Sequence, residues 1–150
     1  MTEQLELVIS RHFDAPRELL FQAFTDPEQL AAWFGPIGWS VPRETVSIDA
    51  TTGGHQRFIM EADDGSMSSP INATFTEVVD GHLLVGHEDV VGIPGFEGTA
   101  HFTLSLEFFD EEGGSRLELR QGPYTTEMEG NAREGWMQSF VKLDALLTTC

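Results

Sequence analysis

The sequence has a single cysteine, Cys150, and a single lysine, Lys142. One cysteine excludes an intrachain disulfide and the paired thiolates of most structural zinc sites. Schiff-base catalysis needs a desolvated amine. Lys142 lies about 200° around a helix from Phe140, so it is predicted to face solvent. The five histidines (His12, His55, His82, His87 and His101) fall in separate segments, and no metal site is expected from them. No apolar run approaches the roughly 20 residues that cross a bilayer. Positive charge is scarce too: eight Lys and Arg against 25 Asp and Glu give a formal net charge of -17. Such a chain repels phosphate backbones and anionic membranes, which argues against nucleic-acid and membrane partners. The charge fits a well-solvated surface. The shortage of lysine fits either a high-salt habitat or base composition. Thr2 to Gln4 are polar and lack the basic and apolar segments of a secretion signal, so a cytoplasmic location is expected.

What is present is a core. The length of 150 residues suits a single domain over 1–150. Hydrophobic residues are 40%, with eleven Phe and three Trp, enough to fill an interior or line a pocket. Leu5 to Phe13 alternates as a half-buried strand. Asp14 and Pro16 then signal the start of a short helix to Phe24. Asp26, Pro27 and Gln29 form a capping-box pattern for a second helix, which ends near Trp33-Phe34-Gly35-Pro36. Six strands are predicted next: Val41–Ala50, His55–Ala62, Ile71–Val79, His82–Val90, Thr99–Phe109 and Arg116–Gln121. The turn signals Gly53-Gly54, Asp64-Gly65, Asp80-Gly81 and Gly113-Gly114, together with a loop at 92–98, separate them from one another. Short connections imply an antiparallel meander. A long final helix carries Ala132, Trp136, Phe140, Leu143 and Leu147 on one stripe. It opens on a Thr126–Glu129 capping box, and Gly135 beside Trp136 suggests close packing on the sheet. The class is α+β: a curved antiparallel sheet of about seven strands (β-α-α-β6-α) wrapped around a long C-terminal helix, with room for a cavity between them.

From about Arg11 to Leu147 the chain resembles the START-like (SRPBCC, Bet v 1-like) superfamily, and within it the branch of the activator of Hsp90 ATPase. The matching pieces are Arg11-His12-Phe13-Asp14-Ala15-Pro16, Ala23-Phe24-Thr25-Asp26-Pro27, Trp33-Phe34-Gly35-Pro36, Gly53-Gly54, Arg57-Phe58-Ile59-Met60, Ser115-Arg116-Leu117 and Gly135-Trp136. The resemblance implies a helix-grip fold with an internal pocket, and little about the ligand. Members usually carry an aromatic at the position of Gln56 and often a histidine at that of Gln121, which implies a more polar pocket here.

The expected pocket residues are Trp33, Trp39, Gln56, Phe58, Met60, Phe75, His87, Phe102, Leu104, Gln121, Trp136, Met137 and Phe140. Gln56 shares strand parity with Phe58 and Met60. Gln121 shares it with Leu117 and Leu119, and His87 with Leu83 and Val85. Trp33 and Trp39 are candidates to gate the entrance. No nucleophile pattern or phosphate loop is present. Non-catalytic binding of a small apolar or polar-tipped molecule, without a cofactor, is therefore the leading expectation. The alternatives are a cyclase- or hydrolase-like enzyme using a pocket carboxylate or histidine (His87, Glu77 or Asp89) and a protein-interaction module.

Overall fold

Alternation makes the first strand, β1 (Leu5–Phe13): Leu7, Ile9 and Phe13 are buried, while Glu6, Ser10 and His12 are exposed. Two short helices follow, α1 (Arg17–Thr25) and α2 (Pro27–Trp33). The computed structural model describes residues 5–91 and 99–147; the 92–98 loop and Cys150 lie outside them. Asp26 caps α2 by accepting the Glu28 N–H at 2.9 Å. Its own N–H goes to the Gln22 carbonyl, so Gln29 bonds the Asp26 carboxylate instead of completing a capping box. The expected Asp14 cap does not form. Pro16 holds the N-cap of α1 without a side-chain bond, and Asp14 pairs with His12.

Pro42 has no N–H for a strand ladder, and it breaks the strand expected over Val41–Ala50. The segment becomes β2 (Trp39–Ser40), a 3-10 turn at Arg43–Thr45 and β3 (Ser47–Ile48). Five long strands then run as a meander: β4 (His55–Ala62), β5 (Ser68–Val79), β6 (Leu83–Val91), β7 (Thr99–Glu111) and β8 (Gly114–Tyr124). The sheet is antiparallel, in the order β1-β8-β7-β6-β5-β4-β2, with β3 also on β4. The fold is the α+β helix grip, with one more strand than expected because of the break at Pro42. Irregularities at Leu5/Leu7 and Phe75/Glu77 interrupt the ladders, and such bulges bend a strand.

The final helix, α3 (Thr126–Leu147), buries Trp136, Ser139, Phe140 and Leu143. Thr125 caps it, its hydroxyl accepting the Met128 N–H. The helix packs on β1, β8, α1 and α2. It therefore fills the β1–β8 half of the sheet with solid core and leaves β4 to β7 to be roofed by fewer side chains. No helix of the described residues is long and apolar enough to cross a membrane. Lys142 corrects its expectation. It does not simply face solvent: its ammonium donates to the Gly35 and Trp39 carbonyls, both at 3.0 Å, and burial depresses its pKa.

Candidate functional site

Directly paired residues of an antiparallel sheet point to the same face. Register places Gln56, Ala73, Glu88 and Phe102 in one row across β4 to β7. A second row runs Phe75, Gly86, Leu104 and Gln121 across β5 to β8. The small residues Ala73 and Gly86 are adjacent in the middle of these rows. Here the inner face lacks side-chain volume, and a chamber of about 90 Å³ lies over it. Phe58, Ile71, Leu84 and Leu106 complete its walls, and Phe34 and Trp136 roof it. The Phe34 ring lies 4.8 Å from Phe58 and 5.5 Å from Trp136. Phe34, Ile71, Gln121 and Trp136 also line an open groove of about 360 Å³ that adjoins the chamber and reaches Met60, Tyr124 and Gly135.

Polar groups in this space are few. The Trp136 indole N–H donates to the Gln121 amide oxygen at 2.8 Å, which fixes both side chains. The Gln56 side chain makes no hydrogen bond to the protein among the described residues. Glu88 accepts the Asn72 backbone N–H at 3.1 Å. Burial pushes its carboxyl up, against the lowering effect of that bond. The Tyr124 hydroxyl is raised too, by its own burial first and then by the Glu88 charge.

The family model for activator of Hsp90 ATPase homolog 1-like protein matches residues 14–148. The chain belongs to the activator of Hsp90 ATPase homolog 1-like family. Solved structures agree. A protein from Chromobacterium violaceum superposes with a TM-score of 0.83 at 25% identity, covering 97% of this chain and 98% of that one. The AHSA1 protein from Silicibacter pomeroyi gives 0.80 at 26% identity, covering 95% and 97%. A Mycobacterium smegmatis protein gives 0.76 at 26%, covering 97% and 92%. No curated protein matches the chain.

In this activator-of-Hsp90-ATPase-like chain, seven of the expected pocket residues meet at the chamber: Gln56, Phe58, Phe75, Phe102, Leu104, Gln121 and Trp136. Met60 lies in the adjoining groove instead. Trp33 is fully buried against Phe24 and Phe34, with its indole N–H bonded to the Ala23 carbonyl, so it gates nothing. Trp39, on the short edge strand, lines an outer depression rather than the chamber. Phe140 packs one turn beyond the cavity, against Phe13. Met137 is exposed, because one residue along a helix turns its side chain about 100° away from Trp136.

His87 is a correction of parity. The apolar run Leu83-Leu84-Val85 supports either face. The structure turns Leu84, Gly86 and Glu88 inward and His87 outward, where it meets Asp89 and His101. Glu77 also leaves the face it should share with Phe75, because the bulge between them reverses the alternation; it is exposed. The carboxyl of the chamber is thus Glu88, which the sequence reading passed over along with Phe34, Ile71, Ala73 and Gly86. Phe34 carried a signal, since it stands in the Trp33-Phe34-Gly35-Pro36 motif. Gly135 does not mark close packing either: a Cβ there would meet nothing within 4 Å.

Proposed function

We propose that this domain binds a small, largely apolar molecule carrying one or two hydrogen-bonding atoms. The observation that carries the reading is the Gln56 amide, unbonded to protein in a wall of Phe58, Phe75 and Phe102. The amide is half-buried and its polar atoms keep contact with solvent, so a guest with a matching polar tip takes the place of water there while its apolar body meets the aromatic wall. The chamber of about 90 Å³ is smaller than the ~150 Å³ cavity that holds benzene. The polar tip or a short chain of the guest therefore enters the chamber, and any ring lies in the groove past Phe34 and Trp136.

Replacing Gln56 with leucine should shift preference from polar-tipped probes to purely apolar ones of the same size, by roughly tenfold or ~1.4 kcal/mol. Titration of tryptophan emission with matched probe pairs (a phenol against toluene) reads the ratio directly. An unchanged ratio in a folded variant places Gln56 outside the site and removes this basis for specificity.

Glu88 supports a second reading, acid–base catalysis on a bound guest. Its carboxyl is partly desolvated, shifted toward its protonated form, and lines the same chamber. Turnover that Glu88→Gln abolishes without weakening binding would favour the enzyme.

A further inference from the structure

On the opposite face of the same strands, three metal-ligating side chains converge. His87 and Asp89 stand two apart on β6, and His101 is the residue paired with Asp89 on β7. Alternation and pairing put all three on one face, back to back with Glu88 and Phe102 of the chamber. The two imidazoles stack with centroids 5.9 Å apart and an interplanar angle of 17°. His87 Nε2 lies 2.8 Å from Asp89 Oδ1, and His101 Nδ1 lies 2.5 Å from that same oxygen. The three ligating atoms all fall within 4.8 Å of one another.

We propose that His87, Asp89 and His101 form a binding site for a divalent transition ion of the zinc type. Two imidazole nitrogens and one carboxylate oxygen suit such ions, whereas calcium and magnesium take oxygen ligands. Zinc binds these atoms at about 2.0–2.2 Å, so tetrahedral geometry sets neighbouring donors roughly 3.3 Å apart. Asp89 Oδ1 now lies closer than that to both ring nitrogens, so entry of the ion requires the Asp89 side chain to withdraw from the two rings. The ion then replaces the protons the three groups share. Side-chain exposures of 39% for His87, 54% for Asp89 and 63% for His101 leave the remaining coordination positions to water.

The other histidines lack this convergence. The two ring nitrogens of His12 face different carboxylates, Glu111 and Asp14, on opposite edges of the ring. His55 bonds the Ser47 hydroxyl. His82 lies against the Arg17 guanidinium, which repels a cation. A net charge of -17 raises the local concentration of cations around the whole molecule. Because residues 87 and 89 flank Glu88, an ion here fixes the strand on both sides of the chamber's carboxyl and clamps β6 to β7.

The test is a titration of the whole chain, freed of metal by dialysis against a chelator, with Zn²⁺ by calorimetry and with Co²⁺ by visible absorption. One saturable equivalent is expected, with a Co²⁺ ligand-field spectrum of low coordination number. His87→Asn, Asp89→Asn and His101→Asn should each weaken binding by roughly tenfold or more. In the wild type, Zn²⁺ should move the imidazole NMR signals of His87 and His101 and leave those of His12, His55 and His82 in place. The proposal is overturned by the absence of saturable binding. It is equally overturned if binding survives in the His87→Asn/His101→Asn double variant, or if the other imidazoles are the ones that respond.

Discussion

Replacing Phe140 with alanine should lower the free energy of unfolding by about 3–5 kcal/mol, the range for deleting a fully buried aromatic. Phe140 has no exposed surface. Its ring meets Phe13 edge-on at 5.5 Å and Trp136 at 5.7 Å, and the Arg11 guanidinium lies 5.7 Å from its centroid. The Arg11–Asp144 ion pair closes over the same junction of β1 and α3. The void left by truncation lies at the packed junction of Phe13, Trp136 and Arg11, so little can collapse into it. Urea denaturation followed by circular dichroism reads the loss as a lower midpoint at unchanged slope. A loss below about 1 kcal/mol, ordinary for any site, would mean that α3 is not the plug of the β1–β8 half.

Filling the chamber from its floor should have the opposite character: a large loss of binding with the fold preserved. A Cβ on Gly86 would lie 3.8 Å from the Ala73 Cβ and 4.0 Å from Phe75 Cδ1, ordinary contact distances, so Gly86→Ala should be neutral in stability and mild in binding. Gly86→Val adds two further methyl groups to a space of about 90 Å³. Affinity for the phenol probe, whose polar tip enters the chamber, should fall at least tenfold, ~1.4 kcal/mol or more. Stability should hold or rise, since filling a cavity commonly adds about 0.5–2 kcal/mol. Probe affinity that is the same in the valine variant as in the wild type would locate binding elsewhere on the molecule.

The elements whose periodicity is strict were the legible ones. β1 alternates cleanly, Asp26-Pro27 marks the start of α2, and the stripe from Ala132 to Leu147 belongs to α3 as expected. The failures have local causes. Pro42 interrupts a segment whose composition is otherwise strand-like. Leu83-Leu84-Val85 is apolar on both faces, so parity alone could not assign His87 or find Glu88. A bulge at Phe75–Glu77 leaves no mark in composition, yet it moves Glu77 to the surface. The His87–Asp89–His101 cluster was missed for a related reason. Asp89 and His101 stand twelve positions apart in sequence, and only the register of β6 on β7 brings them together.

Lys142 has a practical corollary. Its amine is engaged by two carbonyls of the chain between α2 and β2, and it is the only lysine present. Acylating reagents and amine cross-linkers therefore meet no freely exposed lysine among the described residues. Reaction at Nζ needs the amine to leave the Gly35 and Trp39 carbonyls, so the rate of acylation reports how often those contacts break. The same segment follows Phe34 in the roof of the chamber, so labelling Lys142 with and without a guest would report whether a bound guest steadies those contacts, without any engineered probe.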